Sequence, residues 1–370
     1  MSKKRKTMHV ALLIICFIIA FIAFYLNTAK FGALPSGEYA DLIQKSSNYK
    51  NGKFQNILPT PQATEGVGFV EMMTKYLFYS PPNLRPSTPI PHVKTDLLNL
   101  NKDENILIWF GHSSFFMQIE GKSILIDPVF SKNASPVPFT TKAFEGTNSY
   151  NAEDIPNIDY LVITHDHWDH LDYSTIMNLK NKIKRVILPL GVGAHFKHWG
   201  FDESMINEMD WNESIVLDND FIIHCLTARH FSGRNLKFNQ SLWASFLVKT
   251  KNFTFFVDGD SGYGEHYKDI GDIFGEIDLA IIDSGQYDKN WKYIHKSPTE
   301  VIRSALDLKA KNLLPSHIAK FALANHAWNE PLVTLKNESQ NLNFSLLTPM
   351  VGEKVKLNNE TQVFKDWWNF

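Results

Sequence analysis

An uncharged apolar run near the amino terminus contrasts with everything that follows it. Val10 to Leu26 are 17 residues, almost all aliphatic or aromatic, and they follow the basic segment Lys3 to Lys6. This length is at the lower limit for a helix that crosses a bilayer. The excess of basic residues before the run predicts a cytoplasmic amino terminus, with the rest of the chain on the other side of the membrane.

A cleaved signal peptide is the alternative for the same segment. Signal peptides also begin with basic residues, but their apolar core is usually about 7 to 15 residues long and ends in a small-x-small site. Only Asn27 to Ala29 approximates such a site here. We therefore expect residues 1–29 to form a basic start and an uncleaved membrane anchor, with secretion after cleavage as the alternative.

Residues 30–103 form a proline-rich stretch that we interpret as an arm wrapped on the following domain. Prolines at seven positions exclude long helices; they are Pro59, Pro61, Pro81, Pro82, Pro86, Pro89 and Pro91. One piece, Val67 to Tyr79, has apolar residues at helical spacing. It predicts an amphipathic helix that either packs on the core or contacts lipid.

From residue 104 to residue 370 the pattern is that of one domain, rich in strands at first and then alternating strands with helices. Predicted strands are Ile106–Phe110, Phe115–Ile119, Ser123–Asp127, Tyr160–Thr164, Arg185–Leu188, Phe221–Leu226, Leu242–Val248, Phe253–Val257, Leu279–Asp283 and Asn312–Leu314. Predicted helices fall at about 173–180, 264–274, 298–308 and 330–340. This order indicates an α/β fold with two packed sheets and helices outside them.

Composition narrows the class of function. A chain that is 44% hydrophobic and 13% aromatic can bury a large core. Its net charge of −2 gives no basic surface for nucleic acid, so no nucleic-acid partner is expected. Cys16 and Cys225 cannot form a disulfide framework. Gly191-Val-Gly193 follows a strand but lacks the third glycine of a dinucleotide loop, so no nucleotide cofactor is predicted.

The densest chemical signal is His165-Asp166-His167-Trp168-Asp169-His170, at the end of a predicted strand. Three imidazoles and two carboxylates within six residues favour a metal site. His165 and His167 alternate along the chain and can hold one ion. Asp169 and His170 follow the turn and can hold a second. Imidazole and carboxylate without thiolate suit zinc, although iron, manganese or nickel would accept the same donors.

Three further donors stand at the ends of later strand-like segments. They are His230, Asp260 and His317. Together with the first segment, four strand ends offer seven donors, which is enough for two ions that share one carboxylate. We therefore predict a site with two zinc ions.

These motifs resemble those of the metallo-β-lactamase superfamily, whose signature His-x-His-x-Asp-His is matched in full. Within it the chain is most similar to the branch of N-acylphosphatidylethanolamine-hydrolysing phospholipase D and its bacterial relatives. Shared segments are Trp109–His112, Asp127–Ser131, His165–Asp172, Pro189–Gly191, Gly259–Tyr263, His295 before Pro298, and Phe321–Asn325 followed by Glu330 and Pro331. Trp168, Ile318 and Lys320 depart from the relatives' residues.

The resemblance implies an αββα sandwich and assigns the donors. It implies that His165, His167 and His230 hold one zinc and that Asp169, His170 and His317 hold the other. Asp260 would bridge the two ions. His295 corresponds to a histidine that lines the substrate site, so it is a candidate for contact with the phosphate or leaving group. Asp169, Asp260 and His295 are the predicted catalytic residues.

A water deprotonated between two ions would attack a phosphodiester, and the ions would neutralise the developing charge. The sequence therefore predicts a membrane-anchored zinc phosphodiesterase of the phospholipase D type, acting on N-acylated phosphatidylethanolamine or a related phospholipid. A lactone or other ester hydrolase of the same fold is the alternative. An inactive binding protein is less favoured, because such a protein is expected to lose donors and none of the seven is missing.

Overall fold

The computed structural model describes residues 3–68, 74, 79–218, 220–358 and 362–369, and it contains two seven-stranded sheets. The first sheet is built from β3 (Ile106–Trp109), β4 (Phe115–Ile119), β5 (Lys122–Ile126), β6 (Ile158–Val162), β7 (Ile183–Pro189), β8 (Ile206–Met209) and β16 (Lys354–Lys356). The second is built from β9 (Ser214–Val216), β10 (Ile222–Leu226), β11 (Ser245–Lys249), β12 (Thr254–Val257), β13 (Leu279–Asp283), β14 (Asn312–Ser316) and β15 (Ser345–Leu346).

The two sheets repeat one topology. The first has the order β16-β3-β4-β5-β6-β7-β8, antiparallel up to β5 and parallel from β5 to β8. The second has the order β15-β14-β13-β12-β11-β10-β9, parallel from β15 to β12 and antiparallel beyond. Parallel strands end at the same edge, so the loops after β5, β6, β12, β13 and β14 can converge.

Helices cover the outer face of each sheet. On the first sheet these are α3 (Tyr173–Leu179) and α4 (Gly193–His198), whose apolar residues pack against β3 to β7. On the second they are α5 (His266–Phe274), α6 (Pro298–Asp307) and α7 (Glu330–Glu338). The largest apolar cluster lies between the sheets and draws on both of them. The predicted αββα sandwich is confirmed.

The missed strands are short and lie at the edges. Those at residues 206–209, 214–216, 345–346 and 354–356 have two to four residues, too few for an alternation to stand out. The strand predicted from Leu242 begins instead at Ser245. The reason is that the amides of Leu242 and Ala244 donate to the carbonyls of Leu190 and Thr164, which lie just after β7 and β6, and these bonds tie the segment to the first sheet. The predicted helix at about 298–308 begins with a capping box, in which Ser297 and Glu300 exchange hydrogen bonds.

The region before residue 104 contributes one long helix and an arm. Helix α1 (Lys3–Leu26) contains the predicted apolar run, and Thr7–Leu26 is long and apolar enough to cross a membrane, with none of it buried in the protein. The arm carries the short helix α2 (Gly37–Ile43) and a hairpin of β1 (Tyr49–Lys50) and β2 (Lys53–Phe54). Most of the predicted helix Val67 to Tyr79 lies outside the described residues.

Candidate metal centre

All seven predicted donors meet at one edge of the sandwich. His165 to His170 follow β6 in the first sheet, whereas His230, Asp260 and His317 follow β10, β12 and β14 in the second. The donor atoms and their neighbours form three groups, each with all its members within 4.8 Å of one another, and the third group, Asp260, Asp283, His295 and His317, overlaps the other two. We call His165, His167, His230 and Asp260 the first cluster. The second cluster is His112, Asp169, His170 and His317.

In the first cluster three imidazole nitrogens point at a common space. His167 Nδ1 lies 3.0 Å from His165 Nε2 and 3.3 Å from His230 Nε2. Asp260 Oδ2 is 3.8 Å from His165 Nε2 and 3.7 Å from His230 Nε2. Two nitrogens of type ε, one of type δ and a carboxylate oxygen form a donor set that suits a transition-metal ion such as zinc.

The second cluster is deeper and richer in carboxylate. Asp169 Oδ2 lies 3.1 Å from His317 Nε2 and 3.7 Å from His170 Nε2. Asp260 approaches both imidazoles, with Oδ2 at 3.3 Å from His317 Nε2 and Oδ1 at 3.1 Å from His170 Nε2. Asp260 thus faces donors of both clusters, the position that the sequence predicted for a shared carboxylate.

Asp127, at the end of β5, organises the loop that carries the signature motif. Its Oδ2 lies 2.8 Å from His170 Nδ1 and accepts a hydrogen bond from Thr164 Oγ1 at 2.6 Å. Its Oδ1 accepts from the amide of Thr164 at 2.8 Å. These contacts with His170 and Thr164 give this carboxylate the role of orienting a donor imidazole.

His295 lies beside the second cluster without belonging to it. Its Nδ1 is 2.8 Å from Asp283 Oδ2, and its ring stacks on that of His317 with centroids 4.9 Å apart. The other oxygen of Asp283 is 3.3 Å from His317 Nδ1. Asp283 therefore faces both rings, with a hydrogen bond to His295 and an electrostatic contact to His317. Asp283 is the last residue of β13, and Asp260 lies just after β12. The position at a strand end that pointed to Asp260 could therefore also have pointed to Asp283.

Two other contributors lie outside the seven predicted donors. His112 belongs to the shared segment Trp109–His112, and the sequence favours a structural rather than a catalytic role for it. Asn56 is a residue that sequence reasoning missed. His112 Nε2 lies 2.9 Å from Asp169 Oδ2, so this histidine supports a predicted donor. Asn56, from the arm, holds the backbone of His230 on both sides: its Nδ2 donates to the carbonyl at 2.7 Å and its Oδ1 accepts from the amide at 3.1 Å. No local pattern marks either contact, because each joins segments far apart in the chain.

The electrostatics of the two clusters differ. Burial and the neighbouring imidazoles hold the pKa of His165 well below its ordinary value. For His317 burial also acts to lower the pKa, but the carboxylates of Asp260 and Asp283 outweigh it and raise the pKa to about 10. The carboxylates of Asp260 and Asp169 likewise raise the pKa of His170 against the effect of burial. Carboxylates that favour a positive charge on buried rings would also favour a divalent cation.

Polar atoms without partners give an independent test of whether a metal fits. His170 Nε2 and Asp260 Oδ1 are buried and lie 3.1 Å apart, yet neither makes a hydrogen bond with good geometry. Buried polar atoms are rarely left unsatisfied. Both atoms face the space between the donors of the second cluster, so a bound cation there would satisfy them.

The clusters open into a cavity of about 260 Å³. Its polar wall includes His167, Asp169, Asp260 and His295, and its apolar wall consists of Phe231, Trp291, Ile294 and Leu323. Gln62 of the arm also lines it. A cavity with donors on one side and apolar side chains on the other fits a substrate with a polar reacting group and an apolar part.

Several residues of the site have strained backbone. His112, Asp127 and His317 have φ values of 55°, 40° and 61°, in the left-handed region that non-glycine residues rarely adopt. Gly259 has φ of 66°, and a Cβ at that position would lie 2.7 Å from Thr164 Cβ. The loop that carries Asp260 can therefore approach the signature loop only with glycine at residue 259.

The chain is similar in sequence to several known proteins. An uncharacterised protein of Mycobacterium tuberculosis is 33% identical over 329 residues, which cover 88% of both chains. An N-acyl-phosphatidylethanolamine-hydrolyzing phospholipase D of Caenorhabditis elegans is 31% identical over 226 residues, 56% of this chain and 62% of that protein.

Among solved structures, Igni18, a metallo hydrolase from Ignicoccus hospitalis, matches 69% of this chain and 99% of its own with a TM-score of 0.53 and 19% identity, which supports the fold alone. The family model described as a β-lactamase superfamily domain matches residues 122–318, the stretch from β5 to the loop after β14. That stretch carries all seven predicted donors and more than half of the chain, and the chain belongs to the β-lactamase superfamily.

Proposed function

We propose that this metallo-hydrolase is a phosphodiesterase of the phospholipase D type that uses two zinc ions. The observation that best supports this proposal is that donors of two clusters face Asp260, beside a cavity with one polar and one apolar wall. His165, His167 and His230 would hold one ion, and Asp169, His170 and His317 would hold the other. The similarity to the phospholipase D of C. elegans supports a phospholipid with an N-acylated head group as the substrate.

Two bound zinc ions would supply an activated water and neutralise charge on the phosphate. The reaction breaks the bond between phosphorus and the head-group oxygen: water provides the new oxygen on phosphorus, and the departing oxygen takes a proton. The protein itself supplies orientation. Asp127 holds His170, and Asp283 holds both His317 and His295.

His295 is the residue proposed to contact the phosphate or the leaving oxygen. Asp283 lies against Nδ1 of its ring, which leaves Nε2 available to the cavity that His295 lines. Phe231, Trp291, Ile294 and Leu323 would receive the apolar part of the lipid and exclude bulk water from the reacting phosphate.

We also propose that α1 anchors the chain in a bilayer with its amino terminus in the cytoplasm. None of the apolar span is buried, and the described part of the protein contacts α1 only at its carboxyl end, around Tyr25. A lipid substrate would then share the membrane with the enzyme, which raises its effective concentration.

A substrate panel tests the function. The full chain, purified in detergent and loaded with zinc, should contain about two ions per chain by elemental analysis. It should hydrolyse bis(p-nitrophenyl) phosphate and release phosphatidate from N-acylated phosphatidylethanolamine. Turnover of lactones with no phosphodiester cleavage would replace the proposal with the ester-hydrolase alternative. Full loading without turnover of either class would favour a binding protein.

A further inference from the structure

The residues after α1 are docked onto the catalytic domain. We call residues 25–33 the stalk. Tyr25 Oη donates to the carbonyl of Pro136 at 2.6 Å, and Trp199 Nε1 donates to the carbonyl of Ala29 at 2.7 Å. Arg234 Nε donates to the carbonyl of Lys30 at 2.9 Å. Because α1 ends at Leu26, inside this docked segment, no flexible linker separates the helix from the domain.

The stalk also reaches the signature loop. Phe31 is 5% exposed, and its ring lies 5.1 Å from that of Trp168, edge to face. The guanidinium of Arg234 lies 4.0 Å from the centre of the same indole ring on Trp168. The position of the donor clusters relative to the end of α1 is therefore set by packed side chains.

Two loops that hold the stalk carry exposed apolar side chains. Phe139 is 85% exposed and lies three residues after Pro136; Leu236 is 78% exposed and lies two residues after Arg234. An extended chain spans at most about 3.6 Å per residue, so these tips lie within about 11 Å and 7 Å of residues that contact the stalk. Exposed large apolar side chains at such a place indicate an interaction surface.

The chemistry of the stalk fits the edge of a bilayer. Thr7–Leu26 would span about 30 Å, the thickness of the hydrocarbon core, and the head groups add about 5–8 Å on each side. Tyr25 lies in the last turn of this span and Lys30 lies four residues after its end, and Lys30 Nζ lies 2.8 Å from Tyr25 Oη. Tyrosine and lysine are typical of this interfacial layer. The loops that grip Tyr25 and Lys30 must then lie at the same level.

An apolar path leads from this surface to the metal centre. Phe238 is 52% exposed, and its ring centre lies 6.3 Å from that of Phe231. Phe231 lines the cavity, and its ring centre is 4.5 Å from that of His167. The loop between residues 231 and 239 therefore joins the outer tip at Leu236 to the donor clusters.

We propose that Phe139, Leu236 and Phe238 insert into the head-group layer of the bilayer that α1 crosses, so that the cavity opens directly onto phospholipid. The proposal rests on the membrane anchoring proposed above, and it deepens that function by naming the surface through which the lipid enters. The occupant is a phospholipid bilayer.

Fluorescent labels at single cysteines test the surface without any need for turnover. Cys225 is fully buried, so Cys16 in α1 is the one accessible native cysteine and serves as the positive control. In a Cys16→Ser background, Phe139→Cys and Leu236→Cys would be labelled with an environment-sensitive dye in metal-free proteoliposomes. We expect spin-labelled lipid to quench both labels.

Val216→Cys is the matched control. Val216 is 66% exposed and pairs with Ile222 at the start of β10, whereas the donor-bearing loop follows the end of that strand. Its label should stay unquenched. Quenching at Cys16 but not at residues 139 and 236 would overturn the proposal. If the labels at residues 139 and 236 became protected from solvent only at high protein density, the surface would instead bind a second copy of the chain. That result would also overturn the proposal.

A kinetic experiment tests whether the surface is needed for hydrolysis of membrane lipid. Replacing Phe139 and Leu236 together by serine should lower the ratio of the rate on vesicle-borne lipid to the rate on bis(p-nitrophenyl) phosphate by about tenfold. Val216→Ser should keep the wild-type ratio. A wild-type ratio in the double variant would contradict the entry route. If the wild-type protein cleaves neither substrate, the proposed function fails while the labelling result still decides the surface.

Discussion

The two donor clusters share Asp260 but are supported in different ways. Behind the first cluster the second layer is neutral: His165 Nδ1 meets the hydroxyl of Thr164 at 3.0 Å, and His230 Nδ1 meets the carbonyl of Ile294 at 3.1 Å. Behind the second cluster the partners are charged, with Asp127 on His170 and Asp283 on His317.

Carboxylate partners make an imidazole a stronger metal ligand than carbonyl or hydroxyl partners do. The second cluster should therefore hold its ion more tightly, and the first cluster, which includes the half-buried His167 at the cavity wall, should exchange its ion more easily. Dialysis of the zinc-loaded protein against rising chelator concentrations should then remove zinc in two steps, the first cluster emptying first.

The largest effect is expected from removing the shared carboxylate. Asp260→Asn keeps the size of the side chain but removes a charge that both clusters face, so activity should fall by more than about a hundredfold, the upper bound for second-layer partners. The surface variant Asp269→Asn is the control. Rate assays with circular dichroism would check the effect, and a mutant that retained a tenth of wild-type activity would rule out the bridging role.

A smaller effect should follow from the charged layer of the second cluster. Asp127→Asn removes the charge that orients His170. The zinc affinity of the second cluster should therefore fall by about 10- to 100-fold, while the chelator concentration that empties the first cluster should not change. The matched control is Asp159→Asn, because Asp159 lies near the start of β6, at the opposite end of that strand from the signature loop. The chelator titration measures both steps. A shift of the weaker step alone would reverse the proposed assignment of the clusters.

A substitution in the arm should weaken zinc binding by the first cluster. Asn56→Ala removes both hydrogen bonds to the backbone of His230, so the weaker step should shift by up to about tenfold and unfolding should become easier by about 1–3 kcal/mol. Gln55→Ala changes the neighbouring residue, which bonds to Lys50 instead. An unchanged first step in Asn56→Ala would mean that β10 alone positions His230.

The last effect is on stability alone and concerns Lys320, whose ammonium donates to the carbonyls of Phe110 and Val129, close to His112 and Asp127. Burial lowers the pKa of Lys320 to about 7. Between pH 7 and the ordinary lysine pKa, the unfolded chain holds a proton that the folded chain has lost, so the free energy of unfolding rises with pH.

From pH 7 to pH 9 this gain should be about 2 kcal/mol. Thermal unfolding of Lys320→Met should lack that gain while the exposed-lysine variant Lys356→Met keeps it. An identical pH dependence in the wild type and Lys320→Met would show that Lys320 remains charged in the folded protein.

The donors could be predicted because each follows a strand, and strand ends are visible in the local pattern. His165, Asp260 and His317 are of this kind, and so is the sandwich that brings them together. Asn56, His112 and the docked stalk could not be predicted in this way. Their contacts join residues 57 to 204 positions apart, and nothing in the periodicity around them reports which distant loop they touch.

The left-handed backbone at His112, Asp127 and His317 has a consequence for how sequences of this kind diverge. Each such residue costs about 1–3 kcal/mol that glycine would not. A lineage that no longer needs the metal centre would gain stability by drifting to glycine at these positions. Descendants that keep histidine and aspartate at these positions, despite the lower stability, would be those in which the metal centre is still under selection. Descendants with glycine there would be those that have lost the metal centre.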